Sequence, residues 1–137
     1  MDRSPEVEDL IRRVYDGMRR GDADLVVGLL SSDRHFVLIG TDPEEWYVDR
    51  DSATRVLREQ LEATGGFDIV GGDPHAYGEG DVGWVADQAS IRMPDGAEVP
   101  MRVTAVARRE SGNWRLVQWH ASVGMTNEES FGRALPT

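Results

Sequence analysis

His120 stands inside the stretch Gln118-Trp119-His120-Ala121-Ser122, a polar ring in an otherwise strand-like run near the end of the chain. An imidazole titrates near neutral pH, so a histidine facing a cavity can serve as general acid or base, and a carboxylate beside it would fix its tautomer and raise its basicity. Asp87 is the carboxylate that strand pairing can bring to it. Gln118 and Ser122, two residues to either side, would share its face and could orient a ligand. Two readings of His120 stand open: a cavity-lining group, with proton transfer as its sharper form, and a histidine whose hydrogen bond is purely structural.

Trp46 and Tyr47 lie in the segment GTDPEEWY, residues 40–47, which is expected to fold over a cavity mouth. Their rings would offer apolar area with a polar tip there, or else merely close the core. Glu45 beside them either caps the following helix or points at the mouth, and the cap is the favoured role. No serine stands in a glycine-rich nucleophile elbow, so nothing indicates acyl transfer. His35, His75 and His120 lack metal-ligand spacing, and neither a metal nor another cofactor is expected.

These side chains meet only if strands set them side by side. From Phe67 onward, turn signals at GGDPHAYGEGD, MPDGA and ESGN divide the chain into four strands, near 67–78, 82–93, 98–110 and 113–124. A two-residue turn at Ser111-Gly112, continued regularly, pairs Ala107 with Leu116, Ala105 with Gln118, Val103 with His120 and Met101 with Ser122. A three-residue loop at Pro94-Asp95-Gly96 carries Asp87 to Val103. Asp87 and His120 then share one face, which is otherwise apolar with small residues (Ala89, Ala105, Ala107) at its middle. A one-residue slip would separate them.

Upstream, Ser4-Pro5 starts an amphipathic helix carrying Val7, Leu10, Ile11, Val14 and Met18 and ending at Gly21. A shorter helix capped by Asp22 or Asp24 follows, then a strand at His35–Ile39 and a third helix from about Asp51 to Ala63, where Arg55 with Glu59 and Arg58 with Glu62 stand one turn apart. Helices first and a meander afterwards give an α+β class, three N-terminal helices packed on a curved, mainly antiparallel sheet. The whole of 1–137 reads as one domain, its core at about 5–125 and a loosely held tail at 126–137.

Composition narrows the partners. Twenty-five acidic against fifteen basic residues leave a net charge of -10, which opposes binding to nucleic acid or to an anionic membrane. With no cysteine, disulfides and thiolate chemistry drop out. No run is long and apolar enough to span a bilayer, and a cytoplasmic location is the expectation. The opposite sheet face, with Trp119, Val117 and Val106, is too apolar for open solvent, so a homodimer through that face is expected.

The pattern G-x-W-x-L-V-x-x-H-x-S at 112–122, with G-T-D-P-x-E-W at 40–46 and Gly21-Asp22 between the first helices, resembles the SnoaL-like branch of the nuclear transport factor 2-like superfamily. The resemblance implies a cone-shaped α+β barrel, a pocket between sheet and helices, and dimerisation through the outer sheet face. The ketosteroid isomerase pattern carries over poorly. Its oxyanion tyrosine would fall on Val14, with Tyr15 one place off and turned away, and its general base on Asp42-Pro43 at a different spacing from the third helix. His120 and Ser122 look closer to the calcium/calmodulin-dependent kinase association-domain type. Function thus stands between a pocket protein for a small, largely apolar molecule, with isomerase-, cyclase- or dehydratase-type acid/base chemistry as its sharper form, and a non-catalytic association module.

Overall fold

Ser4 and Gly21 bracket the first helix. In the computed structural model, which describes residues 1–137, α1 spans Pro5–Arg20; the Ser4 hydroxyl accepts from the Val7 N–H, and Gly21 stops the helix at φ 64°. Gly17 lets the next helix, α2 (Ala23–Gly28), come close, because a Cβ there would sit 2.7 Å from Leu25 and 2.8 Å from Val26. The third helix, α3 (Arg50–Thr64), is capped by Asp49, whose side chain accepts from the Ser52 N–H. Glu45 is therefore not its cap. Arg58 reaches Asp24 at 2.8 Å, tying α3 to α2 rather than pairing along its own helix.

Eight strands form one sheet: β1 (Asp2–Arg3), β2 (Val37–Ile39), β3 (Trp46–Tyr47), β4 (Asp68–Gly71), β5 (His75–Glu79), β6 (Val82–Arg92), β7 (Glu98–Glu110) and β8 (Asn113–Ser122). Their order is β1-β5-β6-β7-β8-β2-β3, with β4 also on β6, and every pairing is antiparallel except β2 with β8. The sheet is open, and α1, α2 and α3 gather on one face, an α+β arrangement. A last short helix, α4 (Asn127–Phe131), carries a capping box at Thr126 and Glu129 but buries nothing.

The strand expected over 67–78 is broken in two. Gly71 (φ 69°) and Gly72 (φ 91°) turn the backbone between β4 and β5, both of which pair with β6. Asp87 lies opposite the break. Its Oδ1 accepts from the Asp73 N–H at 2.8 Å, replacing a ladder bond that the break removes.

The hairpin of β6 and β7 has the expected register, Asp87 opposite Val103 and Ala89 opposite Met101. The next one does not. It starts as expected, with Ser111 and Gly112 at positive φ and Ala107 opposite Leu116, but Val106 then pairs with Gln118, leaving Val117 as an extra residue. After this bulge every β8 residue points to the other face. Trp119 and Ala121 turn inward and are buried, while Gln118, His120 and Ser122 turn outward.

Magnitudes explain the choice. Burying an indole removes some 150–250 Å² from water, worth roughly 4–6 kcal/mol, whereas a disrupted ladder bond costs about 1 kcal/mol. Trp119 lands opposite Ala105 and Leu38, so the small residue at the sheet's middle makes room for the ring. The inner row Tyr47, Leu38, Trp119, Ala105, Val85 and Ala76 runs across the sheet.

Candidate functional site

Where α1 and α3 leave the sheet, they enclose a cavity of ≈ 320 Å³. Leu57 and Leu61 of α3, Met18 of α1, and Ile69, Met101 and Trp119 of the sheet form its apolar wall. Polar groups gather at one end: Thr41 and Glu45 from the loop between β2 and β3, and Gln60 and Thr64 from α3. Glu45 is the one ionisable residue lining the cavity.

Backbone geometry holds Glu45 there. The Gly40 N–H donates to its carbonyl at 2.9 Å, and Gly40 has no side chain to obstruct it; a Cβ would fall 2.0 Å from Oε2. Its carboxylate is loosely satisfied, accepting from the Asp42 N–H at 3.3 Å and the Gln60 amide at 3.4 Å. It takes part in none of the ion pairs. Thr64 is already engaged, its hydroxyl donating to the Gln60 carbonyl and accepting from the Gly66 N–H.

The other anticipated residues are dispersed. Asp87 and His120 occupy opposite faces of the sheet, separated by the bulge, so the expected acid/base pair does not form. His120 stands opposite Thr104 and Ile39, half-buried on the outer face. Gln118 is opposite Val37 and Val106 on that face, and Ser122 accepts from Arg102 at 3.4 Å. Trp46, 65% exposed, projects outward beside Ile39 instead of covering the cavity. Tyr47 alone of the aromatic pair turns toward the core, packing against it without lining the cavity.

Tyr15 faces inward, contrary to expectation. Its hydroxyl donates to Asp87 Oδ2 at 2.7 Å, and its ring meets that of Trp119 edge-on at 6.2 Å. Burial, with the adjacent carboxylate adding to it, pushes the phenol well above its ordinary 10.0. Tyr15 therefore stays protonated and locks α1 to the sheet at the β4–β5 break. Asp87, 5% exposed, has each carboxylate oxygen committed, one to Tyr15 and one to Asp73. The pair supports the wall of the cavity from behind and does not line it.

A model of the SnoaL-like domain matches residues 7–126. The chain belongs to the SnoaL-like domain family. Solved structures agree on the fold of this SnoaL-like chain. A protein from Thiobacillus denitrificans, provisionally called a calcium/calmodulin-dependent protein kinase type II association domain, superimposes with a TM-score of 0.76 at 21% identity, over 91% of this chain and 100% of that one. An NTF2-like protein of unknown function from Pseudomonas putida gives 0.77 at 18%, over 95% and 91%. A Streptomyces avermitilis protein of the NTF2-like family, provisionally called a dehydratase, gives 0.77 at 20%, over 88% and 95%. Comparison with curated proteins yields no match.

The residues that line this cavity carried a faint signal. Leu57, Gln60, Leu61 and Thr64 recur at i, i+3, i+4 and i+7, one face of α3 on which polar residues interrupt an apolar stripe. A polar residue on an inward stripe marks a cavity or a hydrogen bond, and here Gln60 lines the cavity and reaches Glu45 at 3.4 Å.

Proposed function

We propose that this SnoaL-like protein binds a small, largely apolar molecule in the cavity between α1, α3 and the sheet. One observation carries the reading: a preformed apolar chamber of ≈ 320 Å³ whose polar groups converge at one end. That is the common make-up of small-molecule sites, in which apolar walls supply affinity and a few polar groups set orientation. If the bound molecule is also transformed, in an isomerase-, cyclase- or dehydratase-type step, Glu45 is the group within the chamber able to take a proton. Neither cysteine nor lysine is available for covalent catalysis, since all 15 basic residues are arginine.

A second role, association, is favoured by the outer sheet face. Trp84 stands opposite Val106 and Tyr77 there, with Val37 and Ile39 farther along, and all five are only half-buried within one chain. We propose that two copies meet through this face, without Trp119, which points inward. Binding and dimerisation use opposite faces and are compatible.

A thermal-shift screen with small apolar carbonyl compounds and alcohols tests the binding role. Stabilisation that rises with ligand concentration and disappears in Ala121→Phe, which fills the chamber, supports it. No stabilisation by any compound, together with a melting temperature that depends on protein concentration, would leave association as the function.

A further inference from the structure

We propose that the molecule held in the cavity carries a protonated amine, seated against Glu45, on an apolar body. This rests on the cavity being a binding site and adds the class of ligand. The polar end is defined first by what it lacks. It contains no arginine, and the single charged group among the lining residues is a carboxylate with two long hydrogen bonds and no ion pair.

The free hydrogen-bonding capacity at that end is weighted toward acceptors. Glu45 offers acceptor oxygens. The Gln60 amide directs one N–H at Glu45, so its carbonyl oxygen remains to accept beside the second N–H. Thr41 adds a hydroxyl that accepts as readily as it donates, whereas the Thr64 hydroxyl is occupied on both sides. An ammonium group has three donors and no acceptor, and these partners match it in number and sense.

A carboxylic acid would meet the opposite arrangement. It would bring a second negative charge beside Glu45 with nothing cationic to receive it, inside a protein whose net charge is already -10. A neutral alcohol can donate one hydrogen bond to the Glu45 carboxylate but brings no opposite charge to it. The expected order of affinity is therefore amine, then alcohol, then acid, and the apolar body contributes alike to all three.

Octylamine, 1-octanol and octanoate at neutral pH, below micelle-forming concentrations, make the test by isothermal titration calorimetry. The amine is protonated under these conditions, as a lysine side chain would be. Octylamine is expected to bind about tenfold more tightly than octanol, with octanoate weakest. Glu45→Gln should bring octylamine close to the level of octanol and change octanol far less. Added salt should weaken octylamine alone, a readout on the wild-type protein that does not depend on the variant folding. Equal binding of octylamine and octanol would overturn the amine assignment while leaving the cavity a binding site. Failure of both compounds to bind would overturn the binding role itself, and the amine assignment with it.

Discussion

A tyrosine hydroxyl 2.7 Å from a buried carboxylate looks like an acid/base pair, yet each group here already has its work in the fold. Asp87 closes a gap in the sheet, and Tyr15 anchors α1 over that gap. Replacing Tyr15 by Phe should remove one hydrogen bond and leave a buried carboxylate oxygen unpartnered, a loss of about 1–3 kcal/mol measurable by urea unfolding. Stability should also depend on pH in a defined direction. Because the folded state holds the phenol proton above the ordinary 10.0, it binds more protons than the unfolded chain above that pH, and stability falls as pH rises further. Below about pH 10 that contribution is present in full. The decline should be shallower in Tyr15→Phe; an equally steep limb in the variant would locate the titration elsewhere. His120 gives the complementary prediction. On the outer face, it should be dispensable for the cavity, so His120→Ala should alter ligand affinity less than twofold by calorimetry.

Among the elements, one inserted residue decides which side chains meet. Helix bounds, the caps of α1 and α2 and the β6–β7 register follow from sequence because each is local: Ser4, Gly21 and Asp22 act within a turn of where they stand, and Asp95-Gly96 sets a short loop. The bulge at Val117 was not legible, because the pattern Trp-Arg-Leu-Val-Gln-Trp-His alternates acceptably in either phase. The decision rests on Trp119 fitting between Ala105 and Tyr15, side chains 14 and 104 residues away in sequence. Glu45 was misassigned for a related reason, since four acidic residues, Asp42, Glu44, Glu45 and Asp49, stand between β2 and α3 and only the folded chain shows that Asp49 is the cap. Deleting Val117 tests the bulge. Regular pairing would then force Trp119 outward or oblige the strand to shear, and the deletion should unfold the domain or lower its melting temperature by well over 10 °C, read by circular dichroism. A deletion that melts like wild type would show that the bulge does not hold Trp119 inside.

At the scale of the whole molecule, the two proposed roles fall on opposite faces of the sheet. Its inner face packs helices at one end and leaves a chamber at the other. Its outer face presents half-buried apolar residues in a single chain, and there the dimer prediction belongs. Val106→Glu would place charge at the centre of the proposed contact without touching the inner face, because Val106 points away from the helices. Sedimentation at micromolar concentration should show a dimer for the wild type and a monomer for Val106→Glu, with ligand binding retained. A wild type that sediments as a monomer would contradict this partnering.

The most direct test of the central claim, that the chamber beside Trp119 and Glu45 is the working site, is an NMR titration with octylamine. Signals of the Trp119 indole and of the Leu57, Leu61, Ile69 and Met101 methyls should shift along one saturating curve, while the His120 imidazole stays unmoved. Shifts centred on His120 and the outer face, with the chamber methyls still, would contradict it.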